Sequence, residues 1–202
     1  MHNSVHYETG SKNEIAVVLS CPGQDEEVAN PPGPAKGQTG KNLENVLEIL
    51  ISKYGHQGFT RDEICITNAW DKVEYPDKTN RSEAKIAEIL TSNKLDRLAS
   101  ELSCIDKIII CCGVNATASV LALSYAGKLN PKTRVLFLDH LGNQSLNSSI
   151  KYKLDGSEIK TYSKAKDKPP NEWRSLEKIR NDNRILRLEV VAHQLNLQIS
   201  AQ

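Results

Sequence analysis

The chain has 202 residues, and its 26 lysines and arginines nearly balance its 25 aspartates and glutamates. This length suits one domain with a sizeable core, and the near-neutral charge excludes a globally basic surface, so any nucleic-acid site must be local. The N-terminal stretch is polar, no apolar run reaches roughly 18 residues, and the five cysteines form no CxxC pair. These features predict a cytoplasmic protein without a transmembrane span and with little support for a metal site.

The first predicted element is a strand over Ile15–Ser20, whose apolar and β-branched run is typical of a strand buried on both faces. A glycine- and proline-rich loop of about twenty residues follows, which is longer than a simple connection needs. The loop leads into a helix over Lys41–Leu50, and one face of this helix carries the apolar side chains of Leu43, Val46, Leu47 and Leu50.

The remaining elements alternate strands with helices. Asn80 and Glu83 have the spacing of a capping box, and the helical stripe after them has a possible break at Asn93 and Lys94. A helix opens after Gly113. The predicted ranges are strands over Glu63–Thr67, Lys107–Cys112 and Arg134–Leu138, an apolar stripe at Ile86, Ile89, Leu90, Leu98 and Leu102, and a long final helix over Asn171–Leu197.

This alternation predicts an α/β fold with three α/β/α layers around a central four-stranded parallel sheet, formed as one domain over residues 1–202. Right-handed crossovers would bring the loops after Ser20, Thr67 and Leu138 to one rim, where open α/β sheets bind ligands. Residues 148–170 interrupt the pattern with six lysines against three acids, which predicts a mobile basic insertion. That insertion is either solvated surface or a segment that contacts phosphate groups.

Several residues at the predicted rim have both a structural and a chemical interpretation. The acids of Gln24–Glu27 suit the first turn of a helix, and they are also a possible general base. Asn68 ends a strand, where it either caps a loop or pairs with the edge of a base through its amide. His140 is either a structural residue or a catalytic one. The glycines of the long loop match neither dinucleotide nor P-loop motifs, so nucleotide binding has no support.

Four motifs in order resemble the uracil-DNA glycosylase superfamily, closest in pattern to the bacterial branch that includes the iron–sulfur glycosylases. The segments that carry the resemblance are Leu19-Ser20-Cys21-Pro22-Gly23-Gln24-Asp25-Glu26 with Pro34-Ala35-Lys36-Gly37-Gln38-Thr39-Gly40, then Ile66-Thr67-Asn68-Ala69, then Ile109 to Ala118, and finally His140 to Asn147. The resemblance covers most of residues 15–147. It implies a monomeric protein that binds DNA and flips a nucleotide out of the duplex, without a cofactor or a membrane partner.

The resemblance also implies roles for individual residues. Asn68 would read the base, and His140 would stabilise the charge that develops on the base oxygen. Glu26 is the first choice for activating water or stabilising the sugar cation, with Asp25 beside it. The base pocket would be completed by Pro22, Gly23, Gln24, Asn30 and Ala35. The DNA-contacting loop would contain Leu141, Gly142, Asn143, Ser145 and Asn147, with Leu141 and Leu146 as the wedge in the base stack.

Three departures from the family pattern affect the expected substrate. Ser20 and Cys21 stand where the family has its catalytic acid or amide, and the cysteines that would bind an iron–sulfur cluster are absent. Ala35 replaces the base-stacking aromatic residue, which removes roughly 1–3 kcal/mol of stacking. We therefore expect a glycosylase for a bulky modified pyrimidine, for example glycosylated cytosine of phage DNA in antiviral defence. The alternatives are a plain uracil-DNA glycosylase in DNA repair and a non-catalytic DNA or nucleotide binder.

Overall fold

The computed structural model describes residues 4–159 and 170–201, with the side chains of the second range described from residue 176. The described strands are β1 (Tyr7–Glu8), β2 (Ile15–Leu19), β3 (Cys65–Asn68), β4 (Ile108–Cys112) and β5 (Arg134–Leu138). The described helices are α1 (Gln24–Val28), α2 (Gln38–Tyr54), α3 (Pro76–Thr79), α4 (Ile86–Ile89), α5 (Ser92–Leu102), α6 (Val114–Tyr125), α7 (Asn143–Ser149) and α8 (Pro170–Ser200). No helix within these ranges is long and apolar enough to cross a membrane.

The strands form one sheet in the order β1-β3-β2-β4-β5. Strand β2 pairs in parallel with β3 on one side and with β4 on the other, and β5 extends the parallel sheet beyond β4. The predicted four-stranded parallel sheet is therefore present. The fifth strand, β1, was missed because a two-residue strand is too short for a periodicity, and it pairs antiparallel with β3.

Helices cover both faces of the sheet, which confirms the three-layer architecture. Alternate residues of β2 face opposite layers, because side chains on a strand alternate between its two faces. Val17 and Leu19 pack with α2 and α8, whereas Ala16 and Val18 pack with α5 and α6. All five residues of β2 are buried, as its uninterrupted apolar sequence predicts.

The predicted capping box at Asn80 and Glu83 is wrong. Asn80 instead ends α3 in the left-handed conformation, with φ of 56°, which asparagine tolerates better than most residues. Helix α4 begins six residues later, at Ile86, and there Glu88 accepts a hydrogen bond from the backbone N–H of Lys85. The helical stripe breaks between α4 and α5, slightly before the predicted break at Asn93 and Lys94.

The structure describes the first part of the predicted insertion at 148–170. Residues up to Ser149 belong to α7, and Tyr152 forms an antiparallel bridge with Glu158. Ile150 and Ile159 are both buried in the core, so the segment between them is anchored at its two ends. Residues 160–169 lie outside the described residues.

Candidate active-site cleft at the carboxyl edge of the sheet

A cleft of about 750 Å³ lies at the carboxyl ends of β2, β3 and β5. Strand β2 lies between β3 and β4, so the chain adds strands first on one side of β2 and then on the other. Open α/β sheets bind their ligands at such a switch point. Ten residues selected from the sequence line this cleft: Gly23, Gln24, Asp25, Glu26, Ala35, Asn68, His140, Gly142, Asn143 and Ser145. The three predicted loops therefore meet in one cavity.

Four selected residues do not line the cleft. Pro22 is buried, and its carbonyl accepts a hydrogen bond from the backbone N–H of Glu74. Asn30 is exposed, and Asn147 lines a neighbouring groove on the far side of α7. Leu141 is completely buried in the core.

Asn68 stands at the end of β3, with only 1% of its surface exposed. Its Nδ2 donates to the carbonyl of His6 at 3.4 Å, which is long for a hydrogen bond. Its Oδ1 is buried and has no hydrogen-bond partner among the described residues. Because buried polar atoms are almost always hydrogen-bonded, this carboxamide is presented to the cleft with unused capacity.

A partly buried polar cluster fixes the backbone around Asn68. Arg97 donates to the carbonyls of Asn68 at 2.9 Å and Ala69 at 2.8 Å, and it also donates to the carboxylate of Glu101 at 2.7 Å. Thr67 and His6 bond to the same carboxylate. Burial raises the pKa of Glu101, but the hydrogen bond from His6, the charge of Arg97 and the bond from Thr67 outweigh it, so the net pKa is lowered. The strand end is thus held in place by a charged cluster that the sequence did not reveal.

His140 follows β5 and lines the opposite wall of the cleft. The backbone N–H of Gly142 donates to its Nδ1 at 2.9 Å. Since Nδ1 accepts, the neutral imidazole carries its proton on Nε2, which is left as a hydrogen-bond donor. A Cβ at Gly142 would lie 2.9 Å from Nδ1, so glycine here leaves room for this orientation of the ring.

Glu26 is buried, and backbone amides occupy both of its carboxylate oxygens. Gly23 donates to Oε2 at 2.9 Å, while Lys36 and Gly37 donate to Oε1 at 2.9 and 3.2 Å. These three bonds join the turn after β2 to the start of α2. Glu26 therefore organises the cleft wall, and the predicted role in activating water does not fit its hydrogen bonding.

Four carboxylates of the described residues line the cleft, and they differ in their partners. Besides Glu26, Glu74 is engaged: Arg81 donates to both of its oxygens, which lowers the pKa of Glu74 to about 2, and Trp70 donates to Oε1. Glu83 is exposed, with Oε1 3.9 Å from Nε2 of His140. Asp25 is exposed and makes no side-chain hydrogen bond or ion pair with the described residues. Among the described lining residues, Asp25 and Glu83 are thus the two carboxylates that accept no hydrogen bond and remain available to a water molecule.

Cys21 and Ser20, which stand at the family's catalytic position, show no nucleophilic environment. Burial raises the pKa of the Cys21 thiol to about 12, and the nearby Glu83 and Glu74 act in the same direction, so the thiol stays protonated at neutral pH. Ser20 is 2% exposed and lies behind the cleft wall.

Ala35 is buried at the cleft with a φ of 54°, in the left-handed region. Arg61 donates to the carbonyls of Ala35 and Pro34, and a Cβ at Gly40 would lie only 1.7 Å from the Ala35 carbonyl oxygen. Because bulky residues are strained at positive φ, an aromatic ring cannot simply replace Ala35. The backbone conformation of this loop therefore excludes a stacking ring at position 35.

The wedge predicted for Leu141 and Leu146 is corrected, because these side chains are 0% and 1% exposed and pack in the core. Their apolar character reflects the packing of α7 against α8. Asn42, which was not predicted, connects this region to the cleft. Its Nδ2 donates to the carbonyl of Leu141 at 2.7 Å and to Oδ1 of Asn143 at 3.1 Å.

Among the described residues, no group of three or more histidine, cysteine, aspartate or glutamate side chains could hold a metal ion. A scan against protein-family models and a search of curated proteins found no match for the chain.

Proposed function

We propose that the protein is a DNA glycosylase, which flips a modified or damaged nucleotide into the cleft and hydrolyses its N-glycosidic bond to leave an abasic site. The observation that carries the proposal is the unpartnered, buried Oδ1 of Asn68 in the same cleft as the Nε2 donor of His140. A carboxamide can accept from and donate to the edge of a flipped base, and such sites read bases in this way.

The proposed mechanism assigns a role to each of four residues. Asn68 holds the base, and the imidazole of His140 donates from Nε2 to the base carbonyl on which negative charge develops. The C1′–N bond breaks with its electron pair passing to the base, and a water oxygen bonds to C1′ while Asp25 takes the water proton. The carboxylates of Asp25 and Glu83 stabilise the positive charge on the sugar.

A bulky modified pyrimidine is the proposed substrate, with glycosylated cytosine as the test case. The cleft volume of about 750 Å³ lies well inside the range of roughly 300–1,000 Å³ for sites that enclose a whole ligand. Ala35 leaves the stacking position without a ring, which favours a larger substituent over a flat uracil. Removal of such a base would serve antiviral defence, whereas removal of uracil would serve DNA repair.

A non-catalytic DNA binder is the second candidate. The observation that favours it is the full engagement of Glu26 by three backbone amides, because the acid expected from the family pattern is then unavailable for chemistry. The two candidates differ in whether Asp25 acts as a general base.

The test is abasic-site formation in duplexes that each contain one uracil, hypoxanthine or glycosylated cytosine. We expect alkali-labile strand breaks with the glycosylated cytosine, and their loss in Asp25→Asn. Asp77→Asn is the matched control, since Asp77 is an exposed acid outside the cleft. Shifted protein–DNA complexes without strand breaks for any duplex would instead support the non-catalytic binder.

A further inference from the structure

A second concave surface, the basic groove, lies beside the cleft between α7 and the first half of the described part of α8. Its volume is about 610 Å³, and the cations that line it are Lys178, Arg180, Arg184 and Arg187. Among the described lining residues Glu177 is the one carboxylate, so this part of the lining carries a clear excess of positive charge. The cleft, in contrast, is lined by four carboxylates.

Arg187 is the unusual member of the basic groove, because only 2% of its surface is exposed. Nε donates to the carbonyl of Ile150 at 3.1 Å and Nη1 to that of Asn183, also at 3.1 Å. Its Nη2 is buried without a hydrogen-bond partner, and within the described part of the chain Arg187 makes no ion pair. Burial lowers the pKa of this guanidinium. A buried charge without a counter-charge is costly, and an anion in the groove would satisfy it.

The basic groove is connected to the cleft through shared residues. Gln38 and Asn143 line both cavities. The fully buried Oδ1 of Asn42 accepts from Nη1 of Arg184 at 2.9 Å and from Nε2 of Gln38 at 3.0 Å. A ligand in the groove and a base in the cleft would therefore lie on either side of one hydrogen-bonded wall.

We propose that the basic groove binds the phosphodiester backbone of the DNA strand next to the flipped nucleotide, with Arg187 and Arg184 on a phosphate and Lys178 and Arg180 at the rim. This inference rests on the proposed glycosylase function, which sets the position of the strand relative to the flipped nucleotide. The planar guanidinium group matches phosphate geometry, and the amides of Gln38 and Asn143 add neutral donors. A near-neutral protein can thus bind DNA through one local patch.

The first experiment measures binding of labelled oligonucleotides that contain no modified base, by fluorescence anisotropy across a salt series. Lys178→Glu should lower duplex affinity at least tenfold and reduce the magnitude of the salt slope by about 1. Lys132→Glu is the matched control. Lys132 is also exposed, but it precedes β5 and therefore lies at the amino ends of the parallel strands, away from the cleft and the basic groove. Equal effects of the two charge reversals, or none from Lys178→Glu, would overturn the proposal.

A second experiment distinguishes binding of a DNA strand from binding of free phosphate and tests the role of the buried Arg187. Thermal unfolding of the wild-type chain should shift upward more with an unmodified oligonucleotide than with inorganic phosphate at equal phosphate concentration. Arg187→Met should lose both shifts, and Arg184→Gln should reduce them if the first variant does not fold. Shifts that persist in the variants, or that are as large with inorganic phosphate, would contradict a strand-binding groove.

These two experiments are independent of base excision. Because the probes contain no modified base, their affinity is measured whether or not the protein is a glycosylase. Groove-dependent binding without strand breaks would refute only the proposed function, and strand breaks without groove dependence would refute only the basic groove.

Discussion

Replacement of Asn68 by alanine should separate stability from function. The variant loses one hydrogen bond of 3.4 Å from Nδ2, and it also removes a buried Oδ1 that has no partner. Relief of an unsatisfied polar atom, worth about 1–3 kcal/mol, offsets the weak bond and the small cavity, so the free energy of unfolding should change by less than about 1 kcal/mol. Two lost hydrogen bonds to the base would cost about 1.5–3 kcal/mol in the transition state, or about 10- to 160-fold in the excision rate.

Asn42→Ala is the matched control, because Asn42 is equally buried but fully hydrogen-bonded. Its amide makes four side-chain bonds of 2.7–3.1 Å. Their loss should lower the free energy of unfolding by about 2–4 kcal/mol. Urea unfolding and single-turnover excision would be measured for both variants. If Asn68→Ala were as destabilising as Asn42→Ala and left excision unchanged, the Asn68 carboxamide would be structural and its role as base reader would be refuted.

Three further predictions concern the charged and polar groups of the cleft. His140→Ala should lower single-turnover excision by about 10²–10³-fold with DNA affinity retained, and an unchanged rate would remove His140 from the mechanism. Asp25→Asn should reduce excision by about 10²–10⁴-fold without loss of stability, whereas Glu26→Gln should lower the free energy of unfolding by about 1–3 kcal/mol. If urea unfolding and excision assays gave the reverse pattern, Glu26 would be the general base. Arg81 lowers the pKa of Glu74 from 4.5 to about 2, so the ion pair of Glu74 with Arg81 stabilises the fold fully above about pH 5, and this stabilisation is lost as the pH falls toward 2. The free energy of unfolding in urea should therefore depend less on pH between about 5 and 2 in Glu74→Gln than in the wild type. Parallel pH profiles of the two proteins would contradict this prediction.

Most of the fold was predictable because its signals are local. Strands β2, β4 and β5 are short, mainly apolar runs, and their predicted ranges match the structure within one residue at each end. Helix α2 was recognised from its apolar face, but it extends beyond Lys41–Leu50 in both directions because polar residues also continue a helix. Strand β1 has two residues and no pattern of its own, so only its pairing with β3 defines it.

The cleft was predictable in its position but not in its chemistry. The order of strands and loops indicates where Asn68 and His140 lie, because the carboxyl ends of parallel strands share one edge. The sequence cannot show that Glu26 is engaged by backbone amides while its neighbour Asp25 is free, since that difference depends on the path of the loop around residues 36 and 37. The same limit applies to Leu141, whose apolar side chain suits a core position as well as a wedge.

The most direct test of the proposed function is mass spectrometry of a duplex with a single glycosylated cytosine after incubation with the protein. Hydrolysis predicts two products in equal amounts: the free modified base and a strand in which that base is replaced by the hydroxyl of an abasic site. Recovery of the intact strand under conditions in which the protein is bound to the duplex would contradict a glycosylase for this substrate.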